Sequence, residues 1–330
     1  DALLDSELRP AETALLVANT SEINAKYYDA TCIETGLKFR AAGRRKLFRR
    51  AGAYASLLDA NVPVEIVSEA EIIEDGALHR YKALYVTDTH VRAEVQNEIR
   101  EWVRGGGVLW ADVTALGRDE FDRDSDRMDE VFGLAERGAL PAPDVEPAKD
   151  ADPETIEVAG KGSLDPVTFD GSLFRPDWGL STGRALGRFE DGSPALVFNE
   201  FGKGRSILLG CSALALSRYA EQSTEREGFE KARRVLTLGV DLAGAKRHCR
   251  VSEPRVPAYV RDGENQTVLV LINGTGRALS DVDVRLELPE PARSAFDGRG
   301  EDVEFEQDNG AIRITRNIAA KDGDMIVFEH

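Results

Sequence analysis

A chain of 330 residues that is 42% hydrophobic, 31% charged and 7% aromatic has the profile of a soluble globular protein, with room for two or three domains; disordered, collagenous and membrane-embedded classes are excluded. Its 59 acidic residues outnumber the 42 basic ones, and the resulting net charge of −17, spread along the chain, argues against nucleic acid as a partner. Only ten of the basic residues are Lys, a bias that suits a GC-rich genome or a mildly salt-adapted one.

The apolar run Thr13-Ala-Leu-Leu-Val-Ala18 predicts a strand buried on both faces. Residues 19–43 follow no period and read as a long loop with a short helix. From 44 to 61, Leu47, Phe48, Ala51, Tyr54, Ala55 and Leu58 recur at helical spacing, which leaves Arg44, Arg45, Lys46, Arg49 and Arg50 on a solvated face. Strands are expected at 62–67 and 81–86, then a helix at 91–104 that ends on Gly105-Gly-Gly107, then a fourth strand at 108–113. This alternation predicts a parallel sheet covered on both faces. The polar stretch 114–155 carries one helix near 127–132, strands follow at 156–158, 184–189 and 195–200, and Gly202-Lys-Gly204 turns the chain into 206–210 as a hairpin. A helix at 226–243 closes the first domain.

Beyond Val251 the pattern changes to short alternating strands, at 258–261, 267–272, 282–288, 303–306, 311–315 and 325–328, separated by turns such as Asn273-Gly274 and Asp322-Gly323. A small antiparallel β-sandwich is expected there, which divides the chain into residues 1–249 and 250–330.

The chemistry-bearing motifs are sparse. Cys32, Cys211 and Cys249 show no CxxC spacing, so neither a disulfide framework nor a zinc knuckle is implied. Cys211, in Leu209-Gly-Cys-Ser-Ala213, invites comparison with a nucleophile elbow, but Leu209 and Ala213 stand where the elbow needs glycines, and a buried structural thiol is the better reading. Gly105-Gly-Gly107 and Gly202-Lys-Gly-Arg205 lack the strand and helix context of a phosphate loop and read as turns. Asp122, Asp124 and Asp126 resemble the start of a calcium loop, yet Arg127 and Gly133 occupy its essential Gly and Glu positions, so at most weak cation binding is expected. Asp112 and Asp119 lie after the fourth strand, where an open α/β sheet binds ligands. The sequons at Asn19, Asn265 and Asn273 carry no weight without a signal peptide, and no apolar run is long enough to span a membrane. A cytoplasmic location is slightly favoured. Asp1 in place of Met is expected of a processed or truncated polypeptide.

Several stretches together resemble one family: Tyr54-Ala-Ser-Leu-Leu-Asp-Ala-Asn-Val-Pro-Val-Glu-Ile-Val67, Tyr81-Lys-Ala-Leu-Tyr-Val86, Val103-Arg-Gly-Gly-Gly-Val-Leu109, Gly117-Arg-Asp-Glu120, Val131-Phe-Gly133, and Pro194-Ala-Leu-Val-Phe-Asn199 with Phe201-Gly-Lys-Gly-Arg205. In order, they are similar to the β-galactosidase trimerisation domain of family 42 glycoside hydrolases. Val270-Leu-Ile-Asn273 and Phe296-Asp-Gly298 resemble the small β domain that ends those enzymes. The resemblance implies a class I glutamine amidotransferase-like, flavodoxin-like sheet without the amidotransferase nucleophile, and a homotrimer that edges a neighbouring subunit's sugar site. The family's catalytic glutamates lie on a preceding TIM barrel, and no carboxylate pair suited to a retaining glycosidase is assigned in these residues.

The expected role is therefore non-catalytic: oligomerisation, and shaping of a carbohydrate site supplied elsewhere, without a cofactor. Two rivals stand beside it. One is a hydrolase or transferase acting through Asp112, Asp119 or Cys211; the other is a carbohydrate-binding module that stacks sugar on Trp178, with Trp110 more naturally a core residue.

Overall fold

A computed structural model describes residues 2–34, 41–138, 140, 155–158, 167–170, 176–211, 226–308 and 310–330. Two compact units emerge: residues 12–56 with 64–245, and residues 1–11 with 57–63 and 246–330. The second unit thus adds the first residues and a short internal stretch to the expected C-terminal strands.

The first unit is built on a nine-stranded sheet. Five strands are parallel, in the spatial order Glu65–Ser68, Thr13–Val17, Ala83–Val86, Val108–Asp112 and Gly204–Leu209. The first parallel strand in the chain therefore lies between the second and third. Four antiparallel strands extend the sheet beyond Gly204–Leu209: Pro194–Phe201, Arg184–Phe189, Thr155–Val158 and Val167–Asp170.

The central parallel strands Thr13–Val17, Ala83–Val86 and Val108–Asp112 are almost wholly apolar because both sheet faces are covered there, whereas Glu65–Ser68 at the edge leaves Ile66 half exposed. Leu16, Leu84, Val86, Leu109 and Ala111 pack with Val95, Ile99 and Val103 of the helix Ala93–Gly105. Residues of opposite parity meet the helix Arg226–Ala243. Tyr85 and Trp110 stack at 5.1 Å, Tyr85 Oη donates to the Leu236 carbonyl at 2.6 Å, and Trp110 Nε1 donates to Val235 at 3.3 Å. Trp110 is a core residue.

Residues 19–34, expected mostly as loop, form the helix Asn19–Glu34. Its buried positions near the N-terminus are Thr20, Ser21 and Ala25, small or polar side chains that leave no hydrophobic period to read. The next helix, Ala41–Asp59, carries a second correction. Arg50 is buried and Arg49 largely so, and both are ion-paired rather than solvated; the side chains of Cys32, Arg44, Arg45 and Lys46 lie outside the described residues. The expected hairpin is present, with Phe201 opposite Gly204.

The second unit is a two-sheet sandwich. One sheet runs Ser6–Leu8, Ala258–Gly263, Gln266–Ile272, Gly323–Glu329, Ser294–Asp297; the other runs Cys249–Val251, Leu279–Glu287, Ala311–Ile318, Glu306–Asp308. Ile312, Ile314 and Ile318 alternate with outward residues and meet Leu269, Leu271, Ile326 and Phe328 in a shared core. Val303 is buried in that core, and its amide donates to the Ala295 carbonyl, but the regular strand begins only at Glu306. Arg9 clamps the first strand through a two-point ion pair with Asp262, both contacts at 2.7 Å.

Candidate functional site

Open α/β sheets bind ligands beyond the carboxyl ends of their parallel strands, where connections from neighbouring strands diverge to opposite sides. Here that point lies between Thr13–Val17 and Ala83–Val86, and the chain's own charges fill it. Asp88 is fully buried; its Oδ2 accepts from the Ala18 amide at 2.8 Å, and both oxygens accept from Arg50 Nη2 at 2.9 Å. Arg50 Nη1 also donates to Glu22 at 3.0 Å. Asp112, equally buried, takes Arg49 in a two-point pair, Nε donating at 2.9 Å and Nη2 to the other oxygen.

Glu69, only 2% exposed, joins two loops: one oxygen accepts from the Thr20 amide and the other from the Arg92 amide, each at 2.8 Å. Thr20 lies in the first turn of Asn19–Glu34, and Arg92 caps Ala93–Gly105, whose Ala93 amide donates to Glu120 at 2.8 Å. Helix N-termini of this kind hold phosphate in nucleotide-binding folds. In this chain the carboxylates of Glu69 and Glu120 stand against these ends, so an anionic cofactor would meet negative charge there.

Of the sequence candidates, Asp112 is thus an ion-pair partner. Asp119 organises the loop that follows: Oδ1 accepts from the amides of Phe121 at 2.9 Å and Arg123 at 3.0 Å, and Oδ2 from Arg123 Nε at 2.8 Å. Burial works to raise its pKa, but these hydrogen bonds outweigh burial and hold the carboxyl below its ordinary value. Asp122 faces Arg118 Nη1 and His90 Nε2, both at 2.7 Å, and Asp124 lies 3.3 Å from Arg118. Among the described residues no group of three or more His, Cys, Asp or Glu is arranged to hold a metal. Asp126 contributes its backbone carbonyl to the Asp129 amide.

Cys211 is fully buried, and burial, then the charge of Asp112, push its thiol well above the ordinary range. A thiol so placed stays protonated at neutral pH and is a poor nucleophile. Trp178 does not offer a sugar-stacking face: it is 6% exposed and packs in the core cluster that contains Phe132 and Leu134, because the strand Gly179–Leu180 draws it against Leu134–Glu136. Gly202-Lys-Gly204 donates its amides inward, Lys203 to the Arg104 carbonyl, with Arg205 donating to Gly107. A Cβ at Gly204 would lie 2.0 Å from the Val103 carbonyl oxygen, so the glycine serves close backbone packing.

The sequence reading missed Arg49, Arg50, Glu69 and Asp88. A signal existed for one of them: Asp88, like Asp112, stands at the carboxyl end of an apolar strand, a position that demands a partner when buried.

The molecule thus has an α/β unit whose described strand ends carry the internal ion pairs Arg50–Asp88 and Arg49–Asp112, and a β-sandwich. No family model matches the chain, and no curated protein matches it in sequence. Solved structures do share its fold. A GH42 β-galactosidase from G. stearothermophilus aligns with 98% of this chain at a TM-score of 0.65 and 17% identity. A β-galactosidase from Bacillus circulans sp. alkalophilus aligns with all of it at 0.65 and 16%, and α-L-fucosidase isoenzyme 2 from Paenibacillus thiaminolyticus with 99% at 0.62 and 17%. The chain spans 41%, 43% and 49% of those proteins respectively, so the common ground is the fold of a part of each. Among the described residues no helix is long and apolar enough to cross a membrane.

Proposed function

We propose that this chain is a non-catalytic accessory and oligomerisation region of a glycoside hydrolase-like protein, shaping a carbohydrate site supplied by another domain or subunit. The carrying observation is that, among the described residues, Asp88, Asp112 and Glu69 are each committed to internal partners at the position where an enzyme of this architecture would hold its ligand. The shared fold with part of two β-galactosidases and a fucosidase supports the same reading. The finer assignments belong to it as well: a flavodoxin-like, amidotransferase-like trimerisation domain, a C-terminal β domain, a homotrimeric assembly and a cytoplasmic location.

Light scattering tests the assembly, with the expected mass three times that of one chain; a monomer across the micromolar range would refute the oligomerisation role. Assay of the same sample on nitrophenyl β-galactoside and α-L-fucoside tests the other half. No turnover is expected, and activity abolished by Asp112→Asn, Asp119→Asn or Cys211→Ser with the thermal midpoint unchanged would establish the enzyme reading instead.

A further inference from the structure

The loop at 117–125 is organised well beyond what a surface connection needs. The Ser125 amide donates to the Gly117 carbonyl, Asp119 to Arg123 and Arg118 to Thr89, while Gln96 Nε2 donates to Arg118 and accepts Ser125 Oγ through its own oxygen. Asp122 sits at φ 59°, a left-handed conformation held by Arg118 and His90. At the tip Asp119 fixes the Phe121 amide, yet the Phe121 ring is 68% exposed. It is the single aromatic among the large hydrophobic side chains left exposed in the described residues. The Arg123 guanidinium lies 4.8 Å from the ring centroid and covers one face.

Exposing an apolar ring contributes nothing to folding. Fixing it in place lowers the entropy a partner must lose on contact. The electron-rich face suits C–H groups carrying partial positive charge. A pyranose presents both an apolar C–H face and hydroxyls that donate and accept. The net charge of −17 disfavours an anionic ligand, and Arg123 already holds the cation position over the ring.

We propose that the free face of Phe121 is a stacking platform for a neutral sugar ring. The choice of sugar as ligand rests on the glycoside hydrolase-like reading.

Saturation-transfer NMR on the full chain, with methyl β-D-galactopyranoside and methyl α-L-fucopyranoside as probes, tests the platform. Saturation of the sugar C–H protons is expected from the wild-type chain. Phe121→Ala should weaken binding about tenfold and Phe121→Trp should retain it, with thermal midpoint and light-scattering mass unchanged in both. Absence of transfer from the wild type overturns the proposal, as does transfer undiminished by Phe121→Ala. A loss of mass in Phe121→Ala without change in sugar signals would make the ring a contact between copies, and also overturns it. The wild-type mass judges the oligomerisation role separately.

Discussion

Asp88 and Arg50 show what a buried charge demands of its surroundings. Removing one member strands the other in a dry environment, so Asp88→Ala should cost about 3–5 kcal/mol of stability in urea denaturation. Glu94→Ala removes a partner of Arg92 from a pair that is 42% and 59% exposed, and should cost less than about 1 kcal/mol. Equal losses in the two variants would deny the edge network its structural weight. Cysteine chemistry gives a second residue-scale test. Burial raises the Cys211 thiol and pushes Cys249 up to about 12, so at pH 8 both remain protonated while the chain is folded. Peptide mapping after iodoacetamide treatment should find both unmodified in the native protein and alkylated after unfolding, where thiols return to about 8.5.

At the scale of elements, the helix Arg226–Ala243 approaches the sheet closely because Gly239 lacks a side chain. A Cβ there would lie 2.9 Å from Tyr85 Oη and 3.2 Å from Trp110 Cβ. Tyr85 cannot swing away cheaply, since its hydroxyl donates to Leu236 and accepts from Val240. Gly239→Ala gains about 1 kcal/mol in helix propensity but should be destabilising overall, by about 1–3 kcal/mol in thermal or urea unfolding, through overpacking. In the sandwich, the Arg9 hydrogen bond, countered by burial and reinforced by the charge of Arg9, lowers the Asp262 pKa. A depressed carboxyl contributes stability above its unfolded value of about 3.9 and loses it as pH falls through the folded one. Acid unfolding of wild type and Asp262→Asn should therefore differ at neutral pH and converge as pH falls through the lowered pKa of Asp262.

For the whole molecule, charge sets the conditions of assembly. Each copy brings 17 further negative charges, so association works against self-repulsion. Salt shortens the screening length from about 10 Å at 0.1 M to about 3 Å at 1 M. The light-scattering mass should accordingly rise toward the trimer with added salt. A mass that falls with salt would mean that ion pairs hold the copies together.

The sequence by itself determined the alternation of apolar strands with the helix Ala93–Gly105, the glycine-turned hairpin and the alternating strands of the sandwich. Each of these is written in spacing between near neighbours, with a period of 3.6 or 2 that water and burial impose locally. The helix Asn19–Glu34 escaped because the buried positions described in its first turns, Thr20, Ser21 and Ala25, are small or polar. Only the tertiary structure decided that Arg49 and Arg50 turn inward, that Asp112 is an ion-pair partner, that Trp178 is core and that Phe121 stands exposed. Arg50 and Asp88 are 38 residues apart, and Arg49 and Asp112 are 63 apart. Whether such a charge is solvated or sealed depends on which strand ends the fold brings beside it, and a local pattern holds no record of that.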